Sequence, residues 1–265
     1  MLFKMSAHII IMGLLKKITS IHFKYGILLT VIVCLTASML FPGIGPNPVI
    51  DTLLVFIGIL FGIIVGFFIS DLYSRFQSIK ENAAIDASGL ATYFSFAKLL
   101  VNKKQNAKWL EKQREIIERY VKKFMPVPWE DYDVTEPEFT ELQESLKDVE
   151  YKTDKENETY SNMLAVVSQI SDAREKLVME GKDHLTTGEW TVILFLGGLL
   201  LISLFYVKTM DIISVLFTWL LSASIIIMFL VIRDLDNLKF GESAVSIEPY
   251  ERALDAIGRS RYYKK

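Results

Sequence analysis

One cysteine, three scattered histidines and no glycine-rich phosphate loop leave this chain without the usual equipment of an enzyme. Cys34 alone can form neither an internal disulfide nor a thiolate metal cluster. It lies inside an apolar run and reads as a small packed residue. His8, His22 and His184 share no ligand spacing. No Ser/His/Asp or Cys/His set stands out, and the carboxylates fall on faces that read as solvated. No catalysis, no cofactor and no metal are therefore expected. A net charge of −2 gives no field to attract nucleic acid. Proline is sparse: none of the seven falls inside the four longest apolar runs. Unbroken helices there argue against a transporter built on discontinuous helices at mid-membrane.

Those four runs are what the chain does have. They cover residues 25–41, 52–70, 190–207 and 212–232, and none contains Asp, Glu, Lys or Arg. Each approaches the roughly 20 apolar residues that cross a bilayer core as a helix. A helix in water rarely lacks charge over such a length, because one face must be solvated. The expected fold class is an all-α integral membrane protein with four transmembrane helices in two hairpins. A long helical insert separates spans two and three.

The expected division is a 1–23 interfacial segment, a 24–70 hairpin, a 71–189 helical domain, a 190–232 hairpin and a 233–265 tail. In the first segment an apolar stretch runs straight into Lys16-Lys17, where a signal peptide would need small residues for cleavage. It reads as an amphipathic helix lying on the bilayer. Lys4, Lys16, Lys17 and Lys24 precede span one, residues 42–51 carry no Lys or Arg, and the turn after span three has only Lys208. The positive-inside rule then places both termini and the insert in the cytoplasm of a multi-pass plasma or inner membrane protein.

Span two carries Gly58, Gly62 and Gly66 at intervals of four, a spacing that allows another backbone to come close. Its bulky face is Phe56, Leu60, Ile63 and Phe67, turned toward lipid or a pore axis. In span three Leu200 reads as an ordinary lipid-facing leucine. Beyond Ser70 the three/four spacing continues through Leu72, Phe76, Ile79, Ala83, Leu90 and Phe94 without a stop signal. One helix is expected from Thr52 to about Asn102, with Ala83 and Ala87 among small residues for close helix contact. An amphipathic helix follows at 106–124 and further helices at 138–147 and 160–180, with a solvated acidic loop at 130–138. That loop lacks the alternating oxygen ligands and glycine of a calcium site. In the tail, Ser246 suits a helix N-cap, Glu248 and Pro249 a first turn, and Gly258 a stop.

Two stretches carry a family resemblance. One is Ile69-Ser-Asp-Leu-Tyr73 followed by Ile85-Asp-Ala-Ser-Gly-Leu90. The other is Arg233-Asp-Leu-Asp236, Phe240-Gly241 and Val245-Ser-Ile-Glu-Pro-Tyr250. With the hairpin–insert–hairpin–tail order, the chain resembles the prokaryotic bestrophin-like domain family. Asp86 stands where that family usually shows Glu, and Lys239 where it shows proline. No bestrophin calcium-clasp motif is recognisable. The resemblance implies a homo-oligomeric ion channel, pentameric by analogy, whose span two lines a hydrophobic neck. The implied lining is Phe56, Leu60, Ile63 and Phe67, opening at Ser70, Asp71 and Arg75. A non-conducting membrane scaffold or sensor, whose insert binds a cytoplasmic protein partner, is the alternative. The lipid bilayer is a partner in both.

Overall fold

A computed structural model describes residues 23–101, 104–149, 153–240 and 243–260. The interfacial helix expected at the N-terminus lies outside them. The elements in chain order are α1 (Phe23–Leu40), α2 (Pro48–Leu99), α3 (Lys104–Phe124), a 3₁₀ helix (Trp129–Thr135), α4 (Glu136–Ser145) and a short 3₁₀ turn (Leu146–Asp148). Then come α5 (Asp154–Lys182), α6 (Thr187–Val207), α7 (Ile212–Asp236), β1 (Lys239–Phe240), β2 (Ser243–Ala244) and α8 (Glu248–Ala256). The two short strands pair antiparallel, Lys239 with Ala244 and Phe240 with Ser243. Helix α2 is continuous through Asp71–Lys80, as the unbroken apolar spacing predicts. Among the described residues four helices, α1, α2, α6 and α7, are long and apolar enough to cross a membrane.

The chain divides into two compact units, one of residues through Ser74 with Leu185–Ala244, the other of Arg75–His184 with Val245 onward. In the apolar unit, α1 packs chiefly on α7. The buried stripe of α1 is Gly26, Thr30, Cys34 and Ser38, all small and four apart. Thr218, Ser222 and Ala223 are buried on α7. Small side chains on both helices let the backbones approach, which is how helices associate where water supplies no drive. Trp219 Nε1 also donates to the Val31 carbonyl at 3.1 Å.

Lys208 is not the exposed turn charge that its position suggests. It is 1% exposed, and its ammonium donates to the carbonyls of Ser38 and Phe41. These are carbonyls that the end of α1 leaves without helical partners. The turn after α1 is drawn onto the same place: the Ile44 amide donates to the Tyr206 carbonyl at 2.9 Å. A Cβ on Gly43 would lie 1.9 Å from the Lys208 carbonyl oxygen. Leu200, expected to face lipid, is instead 6% exposed and reaches within 3.8 Å of a Cβ built on Gly58.

The second unit is a helical bundle. Ile79, Ala83, Ala87, Leu90 and Phe94 of α2 are buried, as are Ile116, Ile117, Tyr120, Val121 and Phe124 of α3. Helix α5 brings Met163, Val167, Ile170 and Leu177 to the same core. Gly89 permits close contact here, since a Cβ would meet Ile170 Cγ1 at 2.5 Å. Residues 130–138 differ from expectation. They form the 3₁₀ helix and the first turn of α4, with Tyr132 and Thr135 fully buried. Glu130, Asp131, Asp133 and Glu136 do face outward, but buried Tyr132 pins the segment to the core.

Gly43→Ala should lower the stability of the apolar unit by about 1–3 kcal/mol, because the new methyl meets a backbone carbonyl that has no room to retreat. Thermal unfolding in detergent reads this directly. A melting point equal to that of the parent would show that the turn relaxes freely.

Candidate functional site

The first candidate is the face of α2 that the apolar unit leaves uncovered. A helix turns by about 100° per residue, so positions 56, 60, 63 and 67 share one side. Phe56, Leu60, Ile63 and Phe67 are 69%, 48%, 67% and 68% exposed, and Ser70 and Asp71 continue the exposed surface. Phe61, Val65 and Leu72, on another side, are buried, with the Phe61 ring edge-on to Phe229 at 6.0 Å. An open apolar groove borders the uncovered face, lined by Ile63, Ile64, Phe67 and Phe68 of α2 and by Gly188 and Val192 of α6. Contiguous apolar surface of this kind meets lipid or another protein.

The glycines of α2 are not equivalent. Gly58 lies near Leu200, whereas among the described residues a Cβ on Gly62 or Gly66 would have nothing within 4 Å. The flat edge that Gly62 and Gly66 make is therefore open in the single chain. Arg75 is placed differently from the other residues expected at the mouth. It is 8% exposed, and it donates from Nε to the Glu180 carbonyl at 2.6 Å and from Nη2 to the Gly181 carbonyl at 3.3 Å. A guanidinium there satisfies the last carbonyls of α5 and opposes the negative end of its dipole. Asp71 stays exposed.

The second candidate is a buried polar cluster in the helical bundle. Asp86 of α2 is 0% exposed. The Tyr120 hydroxyl lies 3.0 Å from both its oxygens, and the Tyr132 hydroxyl 2.6 Å from Oδ2. The Tyr120 and Tyr132 hydroxyls are 2.7 Å apart, and Tyr132 meets the Tyr250 hydroxyl at 2.9 Å. Arg174 Nη1 donates to the Tyr120 hydroxyl at 2.5 Å and to Thr135 Oγ1 at 2.7 Å, and Nη2 donates to Glu136 Oε2 at 2.8 Å. The Arg174 guanidinium also lies 4.5 Å from the Phe139 ring centroid.

Burial pushes the Asp86 carboxyl above the usual carboxylate range, and the Tyr132 bond and the Arg174 charge only partly offset it. Burial likewise raises Tyr132 and Tyr250 well above the ordinary phenol value, so these hydroxyls keep their protons. The sequence pattern sets Asp86 in a family-like stretch without a role and does not mark Tyr132 or Arg174. Buried polar residues break the hydrophobic period instead of marking it. Among the described residues no group of His, Cys, Asp or Glu could hold a metal ion.

Four membrane-length helices and a helical bundle sharing one unbroken helix define a class of helical membrane protein. The chain belongs to the Bestrophin-like domain family, whose profile matches residues 27–250. Two solved structures share the fold. One is a mutant of a bacterial Bestrophin homolog from Klebsiella pneumoniae, at 12% identity and a TM-score of 0.62, covering 89% of this chain and 99% of that one. The other is a mutant membrane protein at 13% identity and a TM-score of 0.62, covering 89% of this chain and 98% of that one. Among curated proteins no sequence matches.

Replacing Arg174 by Met should cost about 2–4 kcal/mol, because the buried Tyr120 and Thr135 hydroxyls each lose a charged donor. Replacing Arg252, whose pair with Glu248 is 71% and 54% exposed, should cost at most about 1 kcal/mol. Denaturant unfolding of both variants compares the two. Equal losses would mean that the cluster adds nothing beyond a surface pair.

Proposed function

We propose that this chain is one subunit of a homo-oligomeric membrane ion channel, with the uncovered face of α2 turned to the shared axis. The observation that carries this reading is the pairing of two features on one helix. Phe56, Leu60, Ile63 and Phe67 are uncovered, and the neighbouring Gly62–Gly66 edge is open to a second backbone. A lone subunit gives the bulky face no partner and the glycine edge no use. A ring gives the glycines an adjoining helix and the apolar side chains a narrow conduit.

Membership of the Bestrophin-like domain family supports a channel-type protein. Apolar linings of this kind gate by dewetting, since a narrow hydrophobic bore empties of water unless it widens. Phe67 and Ile63 are the proposed constriction, with Ser70 and Asp71 at its mouth. Arg75 is assigned instead to the bundle, so Asp71 acts at the mouth without it. Five subunits follow from the bestrophin analogy, and the distribution of basic residues puts the bundle and both termini in the cytoplasm.

Purified protein in liposomes tests the reading. Phe67→Ser and Ile63→Ser should each raise ion flux several-fold by wetting the constriction, and Asp71→Asn should shift preference toward anions. If the parent and both serine variants leave liposomes equally tight to Na⁺, K⁺ and Cl⁻, the protein is a scaffold and not a channel. Oligomer size supplies a separate check. Because Gly62 has free space in the chain, Gly62→Leu should leave subunit folding intact while lowering the assembled fraction. Leu29→Ala, at a position 53% exposed on α1, should not. Unchanged assembly of Gly62→Leu would remove the glycine edge from the interface.

A further inference from the structure

We propose that Asp86 holds a proton in the folded bundle, and that this proton latches the C-terminal helix α8, so that its loss as pH rises loosens that segment. The argument is a count of protons. Four pairs of groups in the cluster meet at hydrogen-bond length: Tyr120 with Asp86, 3.0 Å from each carboxyl oxygen and counted once because one hydrogen serves the pair, Tyr132 with Asp86 at 2.6 Å, Tyr120 with Tyr132 at 2.7 Å, and Tyr132 with Tyr250 at 2.9 Å. Each contact needs one proton between its oxygens. The three phenols supply three, because a hydroxyl has one hydrogen to give. Arg174 donates to the Tyr120 oxygen but lies in none of the four contacts.

The fourth proton belongs on Asp86. With it, the groups close a ring: Asp86 Oδ1 donates to Tyr120, Tyr120 to Tyr132, and Tyr132 back to Asp86 Oδ2. Tyr250 donates into the Tyr132 oxygen from outside the ring. Each hydroxyl then donates once and accepts no more than twice, which is its capacity. Bonds in such a chain polarise one another and strengthen together.

Among the described residues four charged or titratable side chains act on the Asp86 carboxyl: Tyr120, Tyr132, Arg174 and Tyr250. Helix α3 contributes Tyr120, the 3₁₀ helix Tyr132, α8 Tyr250, and α5 Arg174. The Arg174 charge is already met by Glu136, whose carboxylate accepts from Nη2 at 2.8 Å. A neutral Asp86 leaves the enclosed cluster electrically balanced, and burial acts in the same direction. An ionised Asp86 would leave one contact as two facing lone pairs. The relief available is to separate Tyr132 from Tyr120, and Tyr132 is the group that holds Tyr250. Around Tyr250, α8 is buried through Ala253, Leu254 and Ile257, and its far end is tied by Arg259 to Glu111 at 2.8 Å. The titration therefore acts on one anchor among several, since Arg259 also pairs with Glu118 at 2.8 Å and Lys98 donates to the Ala256 carbonyl at 3.3 Å.

The sign follows from linkage. A carboxyl whose folded pKa lies above its unfolded value contributes docking stability that is fully present below the unfolded pKa and is lost as pH rises through the folded one. Infrared spectra of the full-length protein should show the carbonyl stretch of a protonated acid that shifts on isotopic labelling of aspartate and vanishes in Asp86→Asn. Hydrogen exchange of the α8 amides, corrected for the intrinsic effect of pH, should lose up to about tenfold protection per pH unit between the Asp86 pKa with α8 released and its higher pKa with α8 docked, and level off above the latter. It should be flat in Asp86→Asn. In Tyr250→Phe the infrared band should remain while the slope disappears. A wild-type spectrum without the labelled acid band overturns the proposal. So does a flat wild-type profile, or a slope that survives in Tyr250→Phe. The wild-type spectrum and profile decide the matter even if Asp86→Asn does not fold.

Discussion

One unbroken helix with two different jobs is the constraint on which the rest depends. From Pro48 to Leu99, α2 has no proline after its first residue and no internal break. Its first half carries no charge between Thr52 and Ser70, and there the chain covers only one side of it. Its second half gives Ile79, Ala83, Asp86, Leu90 and Phe94 to the core of a bundle whose outer surface is charged. A helix satisfies its own backbone wherever it runs, so the same backbone serves both settings without strain. Only the side chains change. Bulky apolar groups stay uncovered in the first half, and small residues with one acid are enclosed in the second.

Periodicity made much of this legible in advance. Leu72, Phe76, Ile79, Ala83, Leu90 and Phe94 were read as one apolar line, and all six are buried. Ile116, Ile117, Tyr120, Val121 and Phe124 mark the inner side of α3 in the same way. Gly258 adopts φ of +76°, which suits the stop expected of it. What stayed hidden is polar and buried. Lys208 looked like a turn charge but serves as a cap for α1, and Arg75 looked like a mouth charge but caps α5. A hydrophobic pattern assigns every Lys and Arg to the surface, so it misses the few whose task is to meet orphan carbonyls.

The small-residue seams carry a related lesson. Span two carries three glycines at intervals of four, yet a Cβ on two of them would meet nothing within 4 Å among the described residues. The seam that the chain itself uses joins α1 to α7 and is written in Gly26, Thr30, Cys34 and Ser38. Three different residue types at one spacing are less conspicuous than three glycines, although van der Waals packing requires only that all be small. Cys34 fits that seam as a small side chain at 3% exposure.

The buried cluster has a further physical consequence. Asp86, Tyr120, Tyr132, Arg174 and Tyr250 come from α2, α3, the 3₁₀ helix, α5 and α8, so five separate segments converge on a few polar atoms. Apolar side chains of similar volume would bring comparable or greater stability, since burying polar groups carries a desolvation cost. They would tolerate sliding, because dispersion has little preference for direction. Hydrogen bonds of 2.6–2.9 Å at Tyr132 do not. One phenol that serves as donor to an acid and acceptor to two other phenols fixes the register of α8 against the 3₁₀ helix and α2 together. The apolar contacts of Ala253, Leu254 and Ile257 can hold the C-terminal segment to the bundle, while the Tyr132–Tyr250 bond determines where along it the segment sits.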